Sequence, residues 1–307
     1  MSTDEYFAFP HLNCAGITGS YWNSDALLVV SRTYVINGIY IKNDVLYIAD
    51  SSGVILKTTS PLNSTSPYAT TSVVSTGLVS PNAPIIDSQG YMYIPDFGNF
   101  RVFKYFNATY YGVIAGITGV SGASLNQLNS AYALAFDSTE SNIFVSDNWN
   151  SRVLIFSVNS TMGTNGTLIA GGNGSGYSTN QLYVPLSLAY DSVSNFLYTC
   201  NPYGHTVSQW VPGASNGTFI IGTSNIAGST PTTLNTPQSL IMDQYQNLYV
   251  TDEANSRIMM YCAGFYANGG IQILTFSYHP KFIALDSSMN IYLIEEYGTQ
   301  VFKHAKL

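Results

Sequence analysis

The chain has 307 residues, a net charge of −7 and only 9% charged side chains, against about a quarter in ordinary domains. Ten Lys and Arg cannot build the clustered basic surface that nucleic acid requires, and no apolar run reaches the roughly 18 residues of a membrane-spanning helix. Polarity rests instead on Ser, Thr, Asn and 24 Tyr, so copies repel one another weakly and association with itself or with another protein is favoured.

Residues 1–6 are polar and acidic, unlike a signal peptide, so the chain is expected to be cytoplasmic or to have lost a leader. Residues 7–19 end in Cys14-Ala15-Gly16-Ile17-Thr18-Gly19, almost the wording of residues 115–119. Residues 21–35 read as a connection with an apolar middle, a short helix or strand over 26–30.

From there one unit recurs. An apolar run ends in Asp at Asp87, Asp137, Asp191, Asp243 and Asp286, and a hairpin turn follows. A second, half-buried strand then ends on an anchor residue: Asp50, Asp96, Asp147, Asn201, Asp252 and Glu295. After a short polar turn a third strand begins, and a Ser/Thr/Gly/Asn-rich loop leads to a fourth. The fourth often closes on a glycine phrase, as at Ile114-Ala115-Gly116, Ile169-Ala170-Gly171 and Ile220-Ile221-Gly222. The anchors lie 43 to 54 residues apart, a period of four short strands with their turns. One such sheet cannot bury both faces, so neighbours stack, and a ring leaves no long bare edge. The expected fold is all-β, a six-bladed β-propeller of four-stranded antiparallel blades, forming one domain over residues 1–307. The sixth blade contains only three strands before Leu307. Residues 1–19 are therefore expected to supply its outer strand and close the ring.

Three blades carry Asp and Arg at one spacing: Asp96 and Arg101, Asp147 and Arg152, Asp252 and Arg257. Where the acid becomes Asn201 the Arg becomes Thr206, and where it becomes Glu295 the Arg becomes Gln300. Paired change of this kind marks contact, either within the turn or across to the neighbouring blade, and a group repeated around a ring is structural.

These features resemble the NHL repeat family. Its blade runs from a glycine phrase through Leu-Asn-x-Pro (here Leu234-Asn235-Thr236-Pro237) to an Asn-x-Arg turn (Asn150-Ser151-Arg152, Asn255-Ser256-Arg257). The resemblance implies the propeller but no one activity, because NHL-type propellers include enzymes, receptor ectodomains and scaffolds. The peptide-amidating lyase of this type binds zinc through histidines. The four His here, His11, His205, His279 and His304, lie too far apart in the repeat to converge. Calcium lactonases of related shape need carboxylates in the channel, and the inner strands carry none before their terminal Asp. No metal or other cofactor is therefore expected. Residues 172–176 and 213–217 match glycine-loop and nucleophile-elbow patterns by chance, since no helix follows either.

Binding should appear where the copies disagree. At the entry to the inner strand they read Asn37, Asn82, Tyr132, Leu186, Gln238 and Lys281, a varied set ringing one mouth of the channel. Six sequons, at Asn63, Asn107, Asn159, Asn165, Asn173 and Asn216, all follow the third strand of a blade, where a glycan fits. Cys14, Cys200 and Cys262 are expected to form no disulfide. With residues 1–19 as the outer strand, Cys14 and Cys262 would fall on opposite faces of the ring. The functional expectation is a non-catalytic extracellular glycoprotein that acts as a binding or structural scaffold for a protein partner or for itself. The alternative is a metal-assisted lyase or hydrolase working in the channel.

Overall fold

The computed structural model describes residues 14, 22–62, 67–75, 77–107, 110–295 and 298–307. Among them, 24 strands form six four-stranded antiparallel sheets. The first blade is Ile36–Lys42, Val45–Asp50, Val54–Thr58 and Thr70–Val74. The third is typical: Ala131–Phe136 innermost, then Asn142–Asp147, Arg152–Ser157 and Thr167–Gly171 outermost. The second strand of a blade is buried on both faces, as in Asn142–Asp147 and Leu248–Asp252, and the cores lie between neighbouring blades. Hence these strands are nearly continuous in apolar residues rather than alternating.

The turn between second and third strands is one 3-10 turn in four blades: Phe97–Asn99, Asn148–Asn150, Pro202–Gly204 and Glu253–Asn255. The residue after each is left-handed: Phe100, Ser151, His205 and Ser256. The glycine phrase answers this turn. A Cβ on Gly116 or Gly222, both with positive φ, would lie 2.2 Å from the carbonyl oxygen of Phe100 or His205. The outer strand can end there only on a residue without a side chain.

The ring closes through the chain's beginning, but not through residues 1–19. The outer strand of the sixth blade is β1 (Leu27–Ser31), antiparallel to β24 (Gln300–His304). Residues 1–13 and 15–21 lie outside the described residues. The apolar stretch 26–30 occupies the fourth-strand position because Val29 and Val30 fill the core beside Val301, where the polar end of the glycine phrase could not. The expectation of no disulfide also falls: Cys14 is bonded to Cys262, with Cα atoms 5.0 Å apart. Since Cys14 is no part of the outer strand, it is free to join Trp22 in the core shared by the fifth and sixth blades, where the Trp22 indole donates to Met289 O at 2.8 Å. Cys200 is the free cysteine, fully buried, and burial pushes its thiol pKa up.

His304 tests the closure. Burial lowers its pKa from 6.5, its Nδ1 faces Asn23 O at 2.9 Å, and its buried Nε2 has no partner. A neutral ring suits the folded state, so its contribution is present above about pH 6.5 and is lost as pH falls through the lowered folded value. The thermal midpoint should fall between pH 7 and pH 5, and His304→Gln should flatten that dependence in thermal scans. Cys262→Ser should cost about 2–5 kcal/mol in denaturant titrations, with reductant producing the same loss in the unmutated chain.

Candidate functional site

The Asp–Arg pairs lie within their own hairpins. Arg101, Arg152 and Arg257 donate through Nε to Asp96, Asp147 and Asp252 at 2.7, 2.7 and 2.6 Å, as cross-strand neighbours. Each pair then grips the connection that enters its blade. Arg152 donates to the carbonyls of Ala123, Ser124 and Gln127, and Arg257 to those of Ser229, Thr230 and Thr233. The second carboxylate oxygen accepts the backbone N–H of Val79, Asn129 or Asn235 at 2.6–2.7 Å. A third side chain, Asn99, Asn150 or Asn255, bridges the acid to the same connection. The first blade has its own cation: Arg32, just past β1, reaches Asp50 at 2.9 Å. In the fourth blade Asn201 reaches Ser208 at 3.0 Å, and its Oδ1 is left without a partner. The Asp residues that end the inner strands are turn formers. Asp243 Oδ1, for example, accepts the N–H groups of Tyr245 and Asn247.

These staples hold the connections that frame one face of the ring, the face on which the inner strands begin. Four of the six rim residues, Asn37, Asn82, Tyr132 and Lys281, border one depression there of about 330 Å³. Asn37 donates to Pro81 O at 3.1 Å, while Asn82 is buried and its Nδ2 has no partner. Gln238 lies in an adjoining cleft of about 260 Å³, which shares Phe97 and Tyr132 with the first depression. That cleft is bounded by Trp149, Val184, Pro202, Tyr203 and Thr236. Trp149 and Tyr203 are 59% and 54% exposed.

Below the mouth is the channel, a cavity of about 290 Å³ walled by the inner strands. Among the described residues no His, Cys, Asp, Glu, Lys or Arg lines it; the titratable side chains there are Tyr40, Tyr132 and Tyr190, and burial raises the pKa of each. Its mouth is spanned by an aromatic pair from opposite blades. Tyr132 of the third stacks on Phe282 of the sixth at 6.1 Å and 22°, with Phe97 edge-on to Tyr132 at 6.1 Å. Three histidines are bonded to backbone at separate places: His205 to Thr236 N, His279 to Glu253 O and His304 to Asn23 O. His11 lies outside the described residues. Among the described residues no three His, Cys, Asp or Glu gather where a metal could bind. The sequon residues Asn107, Asn159, Asn165, Asn173 and Asn216 are exposed; Asn63 lies outside the described residues.

Trp149 and Tyr203 stand in the 3-10 turns rather than at the inner-strand entries, and there too the copies disagree. Where these two stand in the 3-10 turn, other blades have Gly98 and Ala254.

No family model matches the sequence, and no curated protein matches it. Many solved structures share the fold. A gluconolactonase from Xanthomonas campestris aligns with TM-score 0.69 at 12% identity, over 96% of this chain and 97% of that one. A chain of a nidogen/laminin complex gives 0.63 at 15% identity over 87% and 98%, and a virginiamycin B lyase from Staphylococcus aureus gives 0.59 at 10% over 92% and 98%. At such identities the likeness is one of fold, a six-bladed propeller, and the chemistry of the neighbours does not transfer with it.

Breaking one staple tests its role. Arg152→Ala strands a buried carboxylate and frees a connection, so a loss of about 3–5 kcal/mol is expected in urea unfolding. Arg152→Lys, a point charge without the fork, should recover part of it.

Proposed function

We propose that the protein is a non-catalytic propeller of NHL type that works outside the cell as a binding or structural scaffold. The observation that carries this reading is the channel. In related folds the channel is a natural reaction chamber; here its wall offers no acid, base or ligating side chain except tyrosines held neutral, and Tyr132 and Phe282 cover its mouth. General acid–base or metal-assisted chemistry needs groups that titrate near the working pH or donate to a cation. A lyase or hydrolase of either kind is therefore the weaker reading, although the gluconolactonase and virginiamycin B lyase share the fold.

Two features support an extracellular setting. The Cys14–Cys262 bond belongs to oxidising compartments, and five sequon asparagines stand in solvent. Four of them, at Asn107, Asn159, Asn165 and Asn216, sit in or beside the link between third and fourth strands, away from the mouth face. Glycans there would leave that face open to a partner. The sparse charge of the surface suits contact with a protein or with a second copy, and the nidogen/laminin structure places a propeller of this shape in a protein complex.

The test uses protein from a eukaryotic secretory host. Treatment with a glycan-removing enzyme should lower its mass, and metal analysis of the purified protein should find neither zinc nor calcium in stoichiometric amount. An unchanged mass would remove the glycoprotein reading, and one bound metal per chain would return the channel to the enzymes.

A further inference from the structure

We infer that the cleft between the third and fourth blades is a binding site for a neutral carbohydrate, one sugar ring of a glycan seated against Trp149 and Tyr203. This rests on the proposed role as a binding module and names its ligand.

Four observations converge on the cleft. The first is aromatic. Trp149 and Tyr203 occupy the middle of the same turn in adjacent blades, more than half exposed, where Gly98 and Ala254 stand elsewhere. Tyr203 also touches Tyr183, with ring centroids 5.1 Å apart, and a 3-10 turn holds both large rings at the surface. Their electron-rich faces attract groups with positive edges, and the C–H face of a pyranose is such a group. The second is hydrogen bonding. The half-buried Gln238 amide borders the cleft and among the described residues makes no side-chain hydrogen bond, and the Thr236 hydroxyl, which donates to Asn235 Oδ1 at 3.3 Å, can still accept. An amide offers donors and an acceptor together, which matches a sugar hydroxyl that is both. The third is charge: none of the cleft's lining residues carries one, so nothing there answers a phosphate, a carboxylate or an ammonium.

The fourth is backbone strain. The residue two before each inner-strand entry is left-handed in four blades, with φ of 47° at Ser80, 78° at Ser130, 55° at Val184 and 56° at Thr236. Four of the six blades turn this way, and Ser meets the turn twice. In the two copies that wall the cleft the residue is β-branched, for which this conformation is a true outlier costing on the order of 1–3 kcal/mol. A dearer side chain at these two places, and a cheaper one at the equivalent positions away from the cleft, is the pattern of a site shaped for a ligand. The size agrees. At about 260 Å³ the cleft is just below the usual range of pockets for drug-sized ligands, room for one ring rather than for a length of peptide.

The experiment titrates the intact protein with a panel of neutral monosaccharides and short neutral glycans, following tryptophan fluorescence and confirming binders by calorimetry. At least one should bind saturably. Trp149→Ala and Gln238→Ala, neither side chain belonging to a hydrophobic cluster, should each weaken it at least tenfold with the thermal midpoint unchanged, while Tyr245→Ala at a turn on the opposite face leaves it intact. The inference is overturned if no sugar in the panel binds, if binding survives Trp149→Ala, or if only anionic sugars or proline-rich peptides bind. Any of these results leaves the scaffold reading standing, because that reading is decided by the mass and metal measurements above.

Discussion

A carboxylate buried at the end of a strand must be answered by a cation and by donors, or it unfolds what surrounds it. Asp96, Asp147 and Asp252 have no exposed side-chain surface, and each is answered at one spacing by an arginine across the hairpin. The arginine has donors left over, and it spends them on carbonyls of the entering connection. One charge pair therefore does two jobs: it closes a turn, and it fixes the loop that carries the chain from blade to blade. The mouth face is built from those loops, so its shape follows from the buried acid. Where Asp50 meets only Ser52 in its own hairpin and no arginine, Arg32 supplies the cation from the segment that enters that blade. The demand for a cation persists even where its source differs.

Ring closure obeys the same logic at larger scale. A sheet of three strands would expose an edge, and β1 covers it by pairing with β24. Two further ties hold the same region: the Trp22 indole on Met289 O, and the Cys14–Cys262 bond across 248 residues of chain. The contacts that complete the circle are thus non-local, while those that make each blade are local.

Much of this was legible in the sequence, and the failures are instructive. The blades could be counted because every copy repeats strand pattern and turn chemistry. The Asp–Arg contact was visible because both positions change together at Asn201 and Thr206. The closing strand was not, because residues 14–19 copy the ending of an outer strand while the strand itself is the less distinctive 27–31. Wording repeats wherever a turn repeats, but only packing decides which apolar stretch fills a gap. The disulfide was lost through the same misplacement. Arg32 escaped notice because it precedes Asp50 by 18 residues and crosses no hairpin. The rim residues were legible as positions where copies disagree, and the structure gathers Asn37, Asn82, Tyr132 and Lys281 around one depression. Trp149 and Tyr203 required the same comparison one turn further on.

Two blades have given up the ion pair, the sixth with Glu295 and Gln300 and the fourth with Asn201 and Thr206, and among the described residues the connection entering the fourth has no arginine to grip it. That connection carries Val184, one wall of the cleft beside Trp149 and Tyr203. A circle of near-copies contacts only its immediate neighbours, so one sector can shed an architectural duty while the blades on either side, held by Asp147 with Arg152 and Asp252 with Arg257, keep the frame. Novelty in such a molecule accumulates in the sector excused from bearing weight, and duplication of a plain module thereby leaves room for a single specialised one.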